Sequence, residues 1–309
     1  MILCVTPNPA IDRTLYVNSL HLGEVHRAEK VLAAAGGKGL NVARTIHTLG
    51  GEPFCMGLIG GHTGDLFSDL AKQEGLSSQW TQTQNETRTC VILVEEGRDA
   101  TVVNERGVEV NVETAQLFCN DVWRMSARTD LVCVSGSLPP GFSTDIFQSL
   151  LSGLVERKKS VWVDTSGQAL KAALDMQGVN IKINEKELAE VLSVEISNVE
   201  QVVAAGVQLL ERGIANLVVT LGKDGAVLCS ANGVWLAQPP LIEPISSVGS
   251  GDAFLGGLMV ALDSKKLFET ALCHGVAAGA ANALHFGGGH LSREVFDEML
   301  ENVKIIFLG

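Results

Sequence analysis

The residues best suited to chemistry lie in one run, Ser247-Val248-Gly249-Ser250-Gly251-Asp252, followed by Ala253-Phe254-Leu255-Gly256-Gly257. Gly249 and Gly251 allow a tight backbone path with amides free to converge, and an apolar helix begins directly after them. A helix N-terminus adds favourable potential for phosphate oxygens. Asp252, in the first turn, is placed to accept a proton from an attacking hydroxyl while nearby amides receive a migrating phosphoryl group. The alternative is a helix cap after a glycine turn. No Gly-Lys-Ser/Thr follows these glycines, so the segment is not a Walker A loop.

A second run, Gly36-Gly37-Lys38-Gly39-Leu40-Asn41, opens another helical pattern. Its glycines permit close approach by a polyhydroxylated ligand, Asn41 can donate to and accept from hydroxyls, and Lys38 can meet a phosphate. Asp12, just beyond Asn8-Pro9, adds a carboxylate suited to holding sugar hydroxyls, or to capping a turn.

These residues need a scaffold. Near-continuous apolar runs at 2–6, 131–135, 161–164, 180–183 and 217–221 predict buried parallel strands. Helical patterns fall at 38–49, 64–73, 144–157, 198–211 and 252–262, and an Ala-rich one spans 268–286. The alternation predicts an α/β fold with a doubly wound, mostly parallel sheet. Segments 13–32 and 89–104 break the rhythm and predict either a small antiparallel sheet standing off the body or hairpins on the sheet edge.

Composition narrows the function. The 309 residues carry 23 basic and 35 acidic side chains, a formal charge of −12, which disfavours nucleic-acid binding. No apolar stretch reaches the length of a membrane span, and no basic leader precedes the first strand-like run. Seven dispersed cysteines without CxxC spacing predict reduced thiols and a cytoplasmic protein. His274 and His285 read as packed or solvated, and no residue cluster suits a protein-held zinc.

Taken together, the stretches Thr6-Pro7-Asn8-Pro9-Ala10-Ile11-Asp12, Gly36–Asn41, Val134-Ser135-Gly136-Ser137-Leu138-Pro139-Pro140-Gly141 and Gly249–Asp252 resemble the ribokinase-like (PfkB) sugar kinases. The resemblance runs in order over nearly the whole chain and is to the phosphosugar branch, the 1-phosphofructokinases and tagatose-6-phosphate kinases. It implies a three-layer ribokinase-like domain over 1–309, with a small β-sheet lid formed by about 13–32 and 89–104. It implies Asp252 as catalytic base and Gly249, Ser250 and Gly251 as an anion hole. Asp12, Gly37 and Asn41 would surround the sugar, and Arg27, Lys38, Arg88 and Ser137 its existing phosphate; Arg88's fork can hold phosphate oxygens in pairs, while Arg27 on sequence alone reads equally as a solvated surface charge. Lys182 would face nucleotide phosphates, and Asn184 and Glu187 would organise Mg2+ through water. Ile183 stands where the family's Lys-Pro-Asn-x-x-Glu stretch has proline, leaving the ligands but not the ring's rigidity; a plain helix start at Asn184 is the alternative. Thr220, Gly222, Gly225 and Asn282 would line the nucleotide, with ordinary helix packing the other reading of Asn282.

The activity so implied is transfer from ATP to a ketohexose phosphate, with fructose 1-phosphate leading and tagatose 6-phosphate and fructose 6-phosphate as rivals. The resemblance also allows a monovalent cation and a homodimer through the lid. A sugar-phosphate sensor that has kept the fold is the reading from another class.

Overall fold

The computed structural model describes residues 1–95 and 100–309; the part of the second lid segment at 96–99 lies outside the described residues. The chain opens with β1 (Ile2–Thr6), whose five residues are all buried. It then leaves the body for β2 (Ala10–Val17) and β3 (Lys30–Gly36) and returns through α1 (Lys38–Thr48), β4 (Pro53–Ile59), α2 (Gly61–Gln73) and β5 (Ser77–Gln82). A second excursion forms β6 (Thr89–Glu95) and β7 (Thr101–Asn104). Next come α3 (Val112–Ser126), β8 (Leu131–Ser135), α4 (Thr144–Glu156), β9 (Ser160–Asp164), α5 (Gly167–Leu174), β10 (Asn180–Asn184), α6 (Glu185–Leu192), α7 (Val199–Glu211) and β11 (Asn216–Thr220). An antiparallel pair, β12 (Ala226–Ser230) and β13 (Gly233–Gln238), precedes α8 (Ser250–Asp263), α9 (Phe268–Ala283), α10 (Arg293–Asn302) and β14 (Lys304–Phe307).

Ten strands form the main sheet in the order β14-β13-β12-β11-β10-β9-β8-β1-β4-β5. From β11 to β5 every neighbour pair is parallel. Alternate residues of each strand serve opposite helical layers. Leu3, Val5, Val132 and Val134 pack with Phe118, Phe147, Leu170 and Leu209 from the α3–α7 side. Ile2, Cys4, Cys133 and Trp162 pack with Ile46, Phe67, Phe254 and Leu272 of α1, α2, α8 and α9. The result is the three-layer α/β arrangement anticipated from the strand–helix alternation. The predicted helix starts shift slightly: α2 begins at Gly61, and α8 begins at Ser250 with Gly249 as its N-cap, so Asp252 is its third residue.

Helix α8 is apolar nearly all round, with everything from Asp252 to Met259 buried. Glycine in a helix interior costs about 1 kcal/mol against alanine. Here, however, a methyl at Gly256 would lie 2.6 Å from Thr45 Cβ, and one at Gly257 would lie 2.6 Å from Ala278 Cβ. Gly256 and Gly257 therefore let α1 and α9 close on α8 from two sides. That packing brings the α1 and α8 N-termini together.

The two excursions form a second sheet, ordered β3-β2-β6-β7. It is mixed rather than antiparallel, because β2 pairs with β6 in parallel. The reason is topological: each strand leaves the main body after a parallel strand of one sheet, so the two start from the same edge and run the same way. In register, Asp12, Thr14 and Tyr16 lie opposite Cys90, Ile92 and Val94 and share one face. A cavity of about 260 Å³ separates Thr14, Tyr16, Ile92 and Val94 from residues 245–248 and Phe286 of the body.

Among the described residues no helix is long and apolar enough to cross a membrane. All seven cysteines are free thiols, six of them buried.

Candidate active site

In a sheet with parallel strands and helices on both faces, ligands gather at the carboxyl ends of the strands, where the chain's winding reverses. Here that point lies between β1 and β8, since β4 and β5 extend one way and β9 to β11 the other. Asn8, just after β1, bridges the crevice by donating 3.0 Å to Ser137 Oγ after β8. The sequence-predicted residues collect along this edge: Asn184 ends β10, Thr220 ends β11 in register with it, and Lys38 opens α1.

Gly249 adopts φ 79°, a left-handed geometry that favours glycine, and any side chain there would run into the Gly288 backbone. Of the three expected anion-hole amides, that of Ser250 already donates to Ser247 O at 3.2 Å. Among the described residues the amides of Gly249 and Gly251 have no acceptor, so these two remain open to an anion. A methyl at Gly251 would come within 2.8 Å of Lys182 Nζ, so the lysine's ammonium packs beside this glycine.

Asp252 is only 7% exposed. Burial pushes its carboxyl up to about 6, helped by the nearby Asp164 charge, while Lys38, Lys182 and the hydrogen bond from Asn41 hold it back. Asn41 Nδ2 donates to Asp252 Oδ2 at 2.8 Å. A carboxylate of this kind is ionised near neutral pH yet still basic enough to take a proton.

Lys38 and Lys182 meet on a residue that the sequence reading named only as a strand end. Asp164 is completely buried at the tip of β9, and its two oxygens each accept a lysine at 2.8 Å. Burial pushes the Asp164 carboxyl up, but the two ammonium groups more than offset this and hold it below its usual range. Asp164 in turn, against the cost of burial, raises Lys38 and keeps it charged. One acid thus fixes two cations side by side between α1 and the α8 amides. The only hint in the sequence was an acid closing an otherwise buried strand, Ser-Val-Trp-Val-Asp.

Asp12 lies behind the glycines of the α1 approach. A methyl at Gly36 would overlap its carboxylate, which explains the first glycine of that run. Burial lifts Asp12 to about 6, opposed by Arg44, Arg88 and the Gly37 backbone. Arg44, also absent from the sequence reading, is buried and donates to Asn41 Oδ1 at 2.9 Å. Its signal was a charge three residues after Asn41, on the same helix face.

On the other side of Asp12, Arg88 donates to Asn8 O at 2.9 Å, Glu105 O at 2.9 Å and Pro9 O at 3.4 Å. Its fork therefore staples the turn after β1, and Asn8 links it to Ser137. Arg27 is not brought into this group: it lies exposed in the 18–29 loop with no partner among the described residues.

At the β10 and β11 ends, Asn184 and Glu187 form a capping box at the start of α6. Asn184 Oδ1 accepts from the Glu187 amide at 2.9 Å and Glu187 Oε2 from the Asn184 amide at 3.1 Å. Ile183 is buried in the strand and does not disturb this cap. Among the described residues Glu187 Oε1 accepts no hydrogen bond, so this pair suits the waters of a hydrated cation better than direct ligation. Gly222 faces open space, whereas Gly225 packs against the Ala237 backbone. Asn282, expected either to line the nucleotide or to pack within its helix, lies inside α9. It is fully buried, and its Nδ2 holds Val248 O at 3.0 Å, bracing the segment ahead of Gly249.

An acid at a helix start beside two free amides and paired lysines, with a second acid in the small sheet, gathers on a ribokinase-like fold. The pfkB family carbohydrate kinase model matches residues 4–294, and the chain belongs to that family. It is 31% identical over 301 residues to the 1-phosphofructokinase of Escherichia coli strain K12, covering 97% of this chain and 96% of that one. A tagatose-6-phosphate kinase of Staphylococcus epidermidis is 28% identical over 309 residues, covering 99% of both chains. Among solved structures, phosphofructokinase-2 from Escherichia coli in complex with potassium superposes with a TM-score of 0.92 at 27% identity, covering 97% of this chain and 98% of that one.

Proposed function

We propose that this chain transfers the terminal phosphoryl group of MgATP to a hydroxyl of a ketohexose phosphate, with fructose 1-phosphate as acceptor and fructose 1,6-bisphosphate as product. The observation that carries this reading is Asp252, a buried carboxylate pushed up to about 6 beside two open amides and two lysines held on buried Asp164. The acceptor oxygen forms the new P–O bond as the bond from phosphorus to the β–γ bridging oxygen breaks, and its proton passes to Asp252. Gly249 and Gly251 amides, Lys182 and Lys38 meet the phosphate oxygens as charge moves between them. Magnesium enters with the nucleotide as part of the substrate, its waters facing Asn184 and Glu187, and a monovalent cation is a further expected ligand. Thr220 and Gly222 border the nucleotide, while Asp12, Gly37 and Asn41 hold the sugar.

The names of the relatives favour an acceptor that already carries phosphate, and Arg88 with Ser137 supply its anchor in this reading. Arg27 joins them only if its loop moves or a second subunit supplies it. The second sheet acts as a lid, and its outward face is the dimer contact. Seven free thiols suit a reducing compartment, so we place the enzyme in the cytoplasm.

ADP release measured over fructose 1-phosphate, fructose 6-phosphate, tagatose 6-phosphate and fructose tests the assignment. Fructose 1-phosphate is expected to give the highest kcat/KM. Arg88→Ala should raise KM for the phosphorylated acceptor about tenfold or more and, because it also frees the turn after β1, raise KM for unphosphorylated fructose by a smaller factor. Equal use of fructose and its phosphates by the wild type would defeat the phosphosugar reading.

A further inference from the structure

We infer that Arg44 is a positioning residue for phosphoryl transfer: its guanidinium dictates which end of the Asn41 amide faces Asp252. This rests on Asp252 being the proton acceptor. An asparagine amide has two ends of nearly the same shape, so sterics alone do not choose between them. One end of Asn41 meets the Asp252 carboxylate at 2.8 Å and the other meets Arg44 Nη1 at 2.9 Å. A guanidinium only donates, and it stays charged at every relevant pH. The end facing Arg44 must therefore be the carbonyl, which leaves the NH2 for Asp252. The reversed amide would set NH2 against Nη1 and oxygen against a carboxylate, two repulsive contacts in a buried place.

Arg44 is itself held on every side. Nη1 also donates to Gly288 O at 2.7 Å, Nη2 to Ala35 O at 2.8 Å and Nε to Glu74 Oε2 at 2.6 Å. These partners come from the glycine loop after α9, the root of β3 and the end of α2. A lysine has one nitrogen and cannot satisfy partners in this planar fan. Gly288 closes the cradle, since a methyl there would lie 2.5 Å from Asn41 Nδ2. The same guanidinium is the charge that most favours ionised Asp12, so one buried cation supports the acid on each side of the sugar position.

The experiment is a double-mutant cycle on MgATP-dependent ADP release. It uses whichever of fructose 1-phosphate, fructose 6-phosphate and tagatose 6-phosphate the wild type turns over fastest. Wild type, Arg44→Met, Asn41→Ala, the double variant and Arg44→Lys are compared from about pH 5 to 9. Asp252 is surrounded by Lys38, Lys182, Asp164 and Asp12 in all of them; Arg44→Met also removes a charge beside Asp12, which Arg44→Lys restores. Arg44→Met is expected to lower kcat about ten- to hundredfold, the value of a hydrogen bond to a charged group. The acid limb of its kcat profile should move to higher pH, because losing a donor to the ionised form makes the base harder to deprotonate. On the Asn41→Ala background the same change should cost almost nothing further. Arg44→Lys keeps the charge near Asp12 and should restore KM for the sugar but not kcat.

Multiplying losses in the double variant, or an unmoved acid limb, would overturn the inference and leave Arg44 a purely structural residue. Should Arg44→Met not fold, Arg44→Lys decides, since full recovery of kcat by lysine also overturns it. Near-normal turnover by Asp252→Asn, or no ADP release by the wild type, instead sinks the underlying reading and the inference with it.

Discussion

Replacing Asp252 with asparagine should make the protein more stable as it makes it inactive. The carboxyl sits 7% exposed and titrates near 6 in the folded chain, against 3.8 for the free side chain. Between those two values the folded state holds a proton that the unfolded state releases. The stability contributed by the protonated acid is thus complete below about pH 4 and lost as pH rises through 6. Above that, the buried charge costs about 3 kcal/mol, from roughly two pH units at 1.36 kcal/mol each. Asparagine keeps the shape and carries no charge at any pH. Thermal unfolding of Asp252→Asn at pH 8 should therefore occur roughly 6 °C above wild type, at about 2 °C per kcal/mol for a chain of this size. At pH 4 the gain should nearly vanish. Turnover should fall by about 10³-fold or more, since the general base is gone. A variant that unfolds earlier than wild type at pH 8, or gains equally at both pH values, would refute the electrostatic reasoning. Turnover near the wild-type rate would refute the role of the acid.

Asp164→Ala should act in the opposite direction. It strands Lys182 without its partner in a buried position, which costs about 3–5 kcal/mol, while half-exposed Lys38 loses less. The unfolding midpoint should drop by roughly 6–10 °C and KM for MgATP should rise; a midpoint within 2 °C of wild type would show that the two lysines find other partners. On the outward face of the second sheet, Val31 and Val103 are 46% and 58% exposed, which motivates the proposed dimer contact. Sedimentation at micromolar concentration should give a dimer that Val103→Lys converts to monomer, and a monomeric wild type would remove the proposal.

Much of this site was legible because its chemistry is carried by short local runs. Glycines before an acid and an apolar helix predict the α8 N-terminus, and the structure refines this by showing the Ser250 amide already occupied. Strands wholly buried on both faces betrayed themselves by unbroken apolar runs, as in β1 and β8. Partnership was not legible. Nothing near Val163 says that Asp164 receives lysines from 126 and 18 residues away. Asn282 Nδ2 holds Val248 O, a contact set by the segment before Gly249 that no local pattern shows.

By itself the sequence determined the α/β layering, the family motifs and the acid that follows the glycine turn, since hydrophobic period and glycine placement act over a few residues. Only the tertiary structure decided which strands pair in the second sheet, because β2 and β6 meet through topology rather than local pattern. It alone decided the electrostatics as well. Whether a carboxylate is raised like Asp252 or lowered like Asp164 depends on the balance of burial against neighbouring cations, and both are settled by residues distant along the chain.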